Sequence, residues 1–514
     1  MPASPTAIAI PLTGLSANDP EPGNYVEVNF AQGASSGAGG LRPILLIGNK
    51  STAGDAVPDT QIYGPPSPFG PVNPLPLASM QDAINRFGQG SELHRMFKRV
   101  LAVNTTTPVY AIAVTESIGT AATGVITITV TATNNGSARI FVLDEFVDAP
   151  ITSGDLIATV AASIATAVNS KLDWPATAVA ALGVVTLTAK NKGTRGNWIR
   201  FSCNIIGTTV GTTSSASTIA LFTGGATADS NTAALATIAN SRFYYIASAA
   251  EDATQLGAVV TQVGTQALPT NGLRECVFGA SVDTVANLTT IATGINGARC
   301  QIPWLQNADY TPAELAANEA AVESLLESSS VPRLNMSGFG LQANDAAIWK
   351  IKAPRSGTMP SRATRVSALN NGIQVIGVLQ NGTTYIDKRV TTRSLSGAVN
   401  DYRIRDPHKV RVCDFFADDL VAKQAAQFQG KNITDDPVVG QLIPPNTVSA
   451  RSVKAATWKL LDDYSDKGLV QNVAAVKAGV IVNREPGTSS RMSQRVPLQV
   501  ADILDVIATA VDQL

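Results

Sequence analysis

The 514-residue chain is predicted to be a multidomain mixture of α/β and α+β parts. It should have a mostly parallel α/β core, an inserted β-rich domain, and extended strand arms at both ends. Three observations predict this. Strand and helix patterns alternate from about residue 226 to 380, which implies parallel strands joined by crossover helices. Between 115 and 225 the chain is rich in Thr, Ala and Gly, poor in charge, and carries period-two runs. Each end holds a short apolar run that cannot fold alone. The length exceeds what one hydrophobic core sustains, and 45% apolar residues supply several cores.

The chain reads as an N-terminal arm and linker (1–40), a first part of the core (41–114), an inserted α+β domain (115–225), an α/β domain (226–380), a C-terminal domain (381–500) and a C-terminal arm (501–514). In the first arm, Tyr25, Val26, Val28 and Phe30 form an alternating strand pattern. The tract Gly33–Gly40 behind it has almost no side chains to pack and reads as a flexible linker. A lone strand on such a tether must pair with a sheet, in its own subunit or another. Leu41–Gly48 and Val109–Val114 are buried strands, with helices at Ala78–Phe87 and Ser91–Val103 between them.

In the inserted block, 124–133 and 138–147 read as a hairpin turning at Asn134–Ser137. Asp155–Lys171 reads as a helix, and 178–190 with 197–206 as a second strand pair. Beyond it, helices at 231–239, 251–265, 283–296 and Pro312–Ser328 alternate with strands Phe243–Ser248, Cys276–Ser281 and Arg299–Leu305. Helix 360–371 and strands Ile373–Leu379 and Thr384–Val390 continue that sheet. Long helices follow at Pro407–Gln429 and Asn446–Asp466, then strands Val473–Asn483 and Ser493–Val500. The tail holds Leu504, Val506 and Ile507.

The catalytic readings fail one by one. His94 lies inside a helical pattern and His408 in the first turn of another, neither beside a nucleophile motif. Gly487-Thr488-Ser489-Ser490 resembles the serine region of subtilisin-like proteases, but it sits between two strands and reads as a hairpin turn. Gly48-Asn49-Lys50-Ser51 follows a strand yet lacks the glycine spacing of a phosphate loop. Cys203, Cys276, Cys300 and Cys413 form no Cys-x-x-Cys pair and read as buried free thiols. No metal-ligand spacing, cofactor motif, nucleic-acid module, signal peptide or membrane-spanning run is read.

Charge is uneven. Residues 1–349 hold 16 Lys/Arg against 24 Asp/Glu, a net of −8, and residues 350–514 hold 22 against 15, a net of +7; together they give the −1 of the chain. The second half therefore suits an acidic partner. Arg451, Lys454 and Lys459 share a broad face of a helix at 100° per residue, with Asp462 at its edge.

Three stretches carry a family likeness. They are Pro22-Gly23-Asn24-Tyr25-Val26-Glu27-Val28, then Arg42-Pro43-Ile44-Leu45-Leu46-Ile47-Gly48, then the C-terminal order of basic helix, long strand, turn, strand and apolar tail. In these the chain resembles the tail sheath proteins of contractile bacteriophage tails, of the Mu-like long-tailed type. The block 115–225 matches no strict pattern, as the variable inserted domains of that family do not.

The resemblance implies a structural subunit rather than an enzyme, without cofactor or metal. It implies self-association as hexameric rings stacked in a helical sheath around an inner tail tube protein, with baseplate and tail terminator proteins as further partners. No direct nucleic-acid contact and no membrane insertion are implied. The place is the virion tail, after assembly in the host cytoplasm. The arms would then be inter-subunit strands, carried by Tyr25, Val26, Val28, Phe30, Leu504, Val506 and Ile507. The cations Arg451, Lys454 and Lys459 would face the tube, and 115–225 would face outward. Contraction would drive the tube through the host envelope on energy stored at assembly. Each further ~100 Å² of apolar surface buried per subunit supplies roughly 2.5 kcal/mol. The competing readings are another phage tail part, a secreted adhesive or surface protein, and a subtilisin-like hydrolase.

Overall fold

The computed structural model describes residues 42–65, 74–210, 219–329, 349–357, 359–379, 381–438, 442, 444–485 and 490–502. The N-terminal strand residues Tyr25–Phe30 and the tail residues Leu504–Ile507 lie outside them.

A six-stranded sheet forms the core. Its order is Cys300–Gln301, Cys276–Phe278, Tyr245–Ser248, Ile44–Asn49, Val109–Val114, Ile62–Tyr63, and each neighbouring pair but the last is parallel. Ile44–Asn49 and Val109–Val114 are buried along their whole length because helices cover both faces. Alternate residues serve two cores. Ile44, Leu46, Ala111 and Ala113 face the Glu92–Val103 and Pro312–Ser329 helices, while Leu45, Ile47, Tyr110 and Ile112 face Thr232–Ile238, Ala253–Gln266 and Val285–Ile295. Ser91 caps the Glu92–Val103 helix by accepting from His94 N at 3.3 Å.

Residues 121–221 fold around a core of their own, with Trp174 at full burial. An antiparallel sheet runs Ala220–Leu221, Arg200–Ile206, Gly136–Val142, Glu145–Ile151, and a second runs Ala121–Thr127, Val184–Lys192, Ala176–Ala181. The Ile157–Asn169 helix packs into the same cluster.

Here the expected pairings are corrected. Residues 124–133 do not pair with 138–147; Gly136–Val142 turns back on itself at Leu143-Asp144 to meet Glu145–Ile151. Leu143 takes a positive φ of 55° and buries its side chain, so packing makes a turn that composition does not announce. The expected strand 178–190 is itself a hairpin, turning at Leu182-Gly183, both at positive φ. Arg200–Ile206 pairs with Gly136–Val142 instead of with it.

Three more expectations shift. Arg299–Leu305 divides at Ile302: Cys300–Gln301 joins the large sheet, and Pro303–Trp304 joins a separate one with Gln374–Val378 and Thr384–Lys388. The expected helical start at Asn446 is a short strand, Thr447–Val448, paired with Asn432–Ile433; Ser449 then caps the Ala450–Asp466 helix. The expected strand Val473–Asn483 begins as a helix, Val473–Ala478, and becomes a strand only at Ile481–Arg484. Asn472 in the left-handed region starts that turn, and only Val476 of the short helix is buried, so its apolar run was no strand face. The coarse expectation, a mixed α/β chain with several sheets, holds.

Candidate assembly surfaces

Both ends of the described body leave from one helix, Pro407–Phe428. At the N-terminal end Arg42 lies 4.1 Å over the ring of Phe415 and 4.3 Å over that of Tyr244, and its carbonyl accepts from Ser324 Oγ at 3.0 Å. At the C-terminal end Ala501 N donates to Leu469 O at 3.1 Å, Val500 bridges to Val470, and Asp502 pairs with Lys409. Lys409 and Phe415 are less than two turns apart on the same helix.

Beside that helix stands a two-stranded hairpin, Ile481–Arg484 against Met492–Arg495, with no third strand among the described residues. Its inner face is fixed by packing: Val482, Val496 and Leu498 lie on a cluster of Phe416, Leu420, Leu460, Leu461 and Tyr464. Gln494 accepts from Gln424 Nε2 at 2.7 Å, which ties the hairpin to the same helix. Gly487–Ser489 of the protease-like tetrapeptide, expected as a hairpin turn, lie outside the described residues; the strands on either side of them are antiparallel.

The Ala450–Asp466 helix carries the expected cations. Arg451 and Lys459 are exposed and Lys454 half-buried. None of the three is in an ion pair within the described residues, whereas Asp462 is paired with Lys477 and Asp463 with Lys423. Two acids of the helix, Asp462 and Asp463, are thus neutralised locally while the three bases remain. Sequence reasoning missed Trp458, which lies about 20° from Arg451 and 40° from Lys454 on the helical wheel. It is 38% exposed, stacked under Lys454 at 5.4 Å, and its Nε1 donates to Lys477 O. A tryptophan in the polar phase of an amphipathic helix was the available signal.

Under these surfaces runs a buried ionic lattice. The Pro312–Ser329 helix is packed on all sides and carries Glu314, Glu319, Glu323 and Glu327, each 1% exposed or less. Arg95 donates to Glu314 at 2.8 Å. Arg389 lies 2.8 Å from Glu319 and 3.2 Å from Glu323. Arg411 and Arg42 both reach Glu327, at 3.2 and 3.7 Å. Asp414 holds Arg299 at 2.6 Å. The lattice therefore links the root of the N-terminal arm, the Pro407–Phe428 helix and the core sheet. Burial pushes the Glu323 carboxyl up to about 7 in spite of Arg389.

Glu275, fully buried beside this lattice, accepts from Phe243 N at 2.5 Å and is pushed by burial from 4.5 up to about 8. Its folded form holds a proton across a window where the unfolded chain does not. Its contribution to stability is thus present below its unfolded value and lost as pH rises through about 8. The Glu275→Gln variant should lose less melting temperature than the wild type between pH 6 and 8.5. Identical slopes would show that Glu275 ionises freely.

Donors of the Gly48–Ser51 loop are already engaged within the fold. Asn49 N already donates to Glu92 Oε2 at 2.8 Å, Asn49 Nδ2 to Asp229 at 2.9 Å, and Ser51 N to Phe87 O. The loop faces carboxylates. His94 and His408 are buried, and burial lowers both to about 4. All four cysteines are buried and in no disulfide. Among the described residues no cluster of His, Cys, Asp and Glu suits a metal, and no helix is long and apolar enough to cross a membrane.

No family model matches the chain. Over 201 residues it is 28% identical to the Mu-like prophage FluMu tail sheath protein of Haemophilus influenzae, a match covering 39% of this chain and 36% of that protein. The match thus spans about a third of the relative's length. Among solved structures, the sheath tail protein of Desulfitobacterium hafniense aligns over 89% of this chain and 93% of its own, at 15% identity and a TM-score of 0.44. The sheath of an extracellular contractile injection system in its contracted state aligns over 97% and 99%, at 12% identity and a TM-score of 0.43. The likeness noted in the sequence is borne out by the Haemophilus relative: this chain is similar to a Mu-like tail sheath protein.

Proposed function

We propose that this chain is the structural subunit of a contractile tail sheath, polymerising as stacked hexameric rings around a tail tube. One observation carries the reading beyond sequence similarity: both arms are rooted on the Pro407–Phe428 helix, beside a two-stranded hairpin that can take further strands. Tyr25, Val26, Val28 and Phe30, and likewise Leu504, Val506 and Ile507, are the strands to be donated. Strand addition supplies main-chain hydrogen bonds between copies, and heterologous contacts that do not close generate a helical array. The contraction runs on energy stored at assembly. Sedimentation of the purified chain tests this reading. Species far heavier than the 53.3 kDa subunit are expected, and a monomer at every concentration would refute it.

The tube is the proposed partner of Arg451, Lys454 and Lys459, whose charges are left unpaired within the described residues. Screened contacts of about 0–1 kcal/mol each would hold an extended sheath in register, and contraction must release every one of them. Reversing all three charges should therefore favour contracted or tube-free sheaths, and wild-type extended tails should weaken at high salt. Normal yield and salt tolerance in the triple reversal would remove this helix from the tube contact.

The unit 115–225 is proposed to face outward, away from the strand mesh. Deleting it and rejoining near Thr115 and Gly225 should leave cylinders that still form. Soluble monomers unable to assemble would contradict that placement.

A further inference from the structure

We propose that Glu251 carries the proton of a latch that seats the 121–221 unit on the core, and that losing this proton loosens the seat. The latch lies where the Thr194–Trp198 turn of the unit meets the start of the Glu92–Val103 helix and the Ala249–Asp252 segment of the core. Both chain connections to the unit pass here. Ala226 N donates to Thr120 O at 3.3 Å, and Gly193 N to the same oxygen at 3.1 Å. A cavity of about 40 Å³ remains at the seam, with Pro175, Asn191 and Arg195 on the unit's side and Glu92, Glu251 and Thr311 on the core's. It has room for a water or two.

Too few cations serve the acids at this point. Arg195 lies 2.7 Å from Glu92 and 3.5 Å from Asp229, and Glu251 is within charge range of the same guanidinium. Arg95, the other cation on the cavity, is committed to Glu314 at 2.8 Å. Three ionised carboxyls would leave uncompensated charge in a buried seam, so one keeps its proton. Hydrogen bonds decide which. Glu92 also accepts from Asn49 N at 2.8 Å, and Asp229 accepts from Ser117 N at 2.6 Å and Asn49 Nδ2 at 2.9 Å. Glu251 has the Thr194 side chain of the unit as a hydrogen-bond partner, but its Oε2 is closed off from solvent and has none among the described residues. Asp252, the acid next to it, caps the Ala253–Gln266 helix.

Burial accordingly pushes Glu251 from 4.5 up to about 8, with Arg195 opposing the rise and Glu92 and Asp252 adding to it. In an opened seam water returns it toward its ordinary value. The proton's contribution to the seat is therefore full below about 4.5 and lost as pH rises to about 8, with no further loss beyond. His94, lowered by burial to about 4, and Lys190, lowered by burial to about 8, act in the opposite sense: each favours the closed seat as pH rises. Elsewhere on the seam, against burial, Arg99 holds Asp144, and Gln89 with Lys98 holds Asp173, below the usual carboxylate range. Those ion pairs persist, so the loosening is local.

The test is hydrogen exchange of the soluble full chain, corrected for the chemical effect of pH, read over residues 190–199 with Val109–Val114 as internal reference. Opening of 190–199 relative to the reference should rise about tenfold between pH 6.5 and 8 and then level off. Burial raises Glu92 as well, so variants make the assignment. Glu251→Gln and Glu251→Met cannot ionise, and each should stay flat over the same range; either serves if the other does not fold. An unchanged ratio in the wild type would overturn the inference without any variant, and so would the same rise in a folded variant. Neither result bears on the sheath reading.

Discussion

Arg389→Met is expected to remove most of the soluble subunit at neutral pH. Arg389 is fully buried between Glu319 and Glu323, and Gln374 Nε2 donates to the same Glu319 oxygen at 2.6 Å. Removing the cation leaves two carboxyls in the core with their compensating charge gone. Breaking a buried pair in this way costs roughly 3–5 kcal/mol, a large share of the ~5–15 kcal/mol that holds a domain folded. Glu323 already sits at about 7 through burial with the arginine present. Without it Glu323 keeps its proton to still higher pH, so the variant should be least stable at pH 8 and recover in part near pH 5. Adding Glu319→Gln and Glu323→Gln should restore much of the loss at pH 8. Denaturant unfolding at the two pH values measures this, and an Arg389→Met protein of wild-type stability would show that the lattice is not holding the core.

Deleting residues 1–32 is expected to do the opposite: to leave folding intact and abolish polymerisation. The described body begins at Arg42, whose guanidinium is already fixed by Tyr244, Phe415 and Glu327. The deletion stops short of these contacts, so the truncated subunit should melt within a few degrees of the full chain. Cylinders of normal length from the truncated chain would show that Tyr25, Val26, Val28 and Phe30 are not the donated strand.

Much of the core was legible because its signals are local. ILLIGN and VYAIAV are continuous apolar runs, and a strand covered on both faces has no polar side to show. The helices at Glu92–Val103 and Pro312–Ser329 start at capping residues, Ser91 and Thr311, that the sequence displays. Pairing was less legible. The partner of Gly136–Val142 is set by a turn at Leu143, whose burial in the core outweighs its poor turn chemistry. Val473–Ala478 shows the limit of period reading: an apolar run of six residues suits either strand or helix.

The candidate assembly surfaces were legible in part. Arg451, Lys454 and Lys459 declared themselves by spacing, but that their charges outlast those of Asp462 and Asp463 depends on Lys477 and Lys423, which come from other helices. The shared root of the two arms could not be read at all. It depends on Arg42 and Asp502 meeting one helix from opposite ends of the chain.

Electron microscopy of the purified full-length chain tests the central claim most directly. The account predicts hollow cylinders of stacked sixfold rings with a cogwheel cross-section, formed without nucleotide or metal. Discrete monomers, closed small oligomers or unordered aggregates at all concentrations would contradict it.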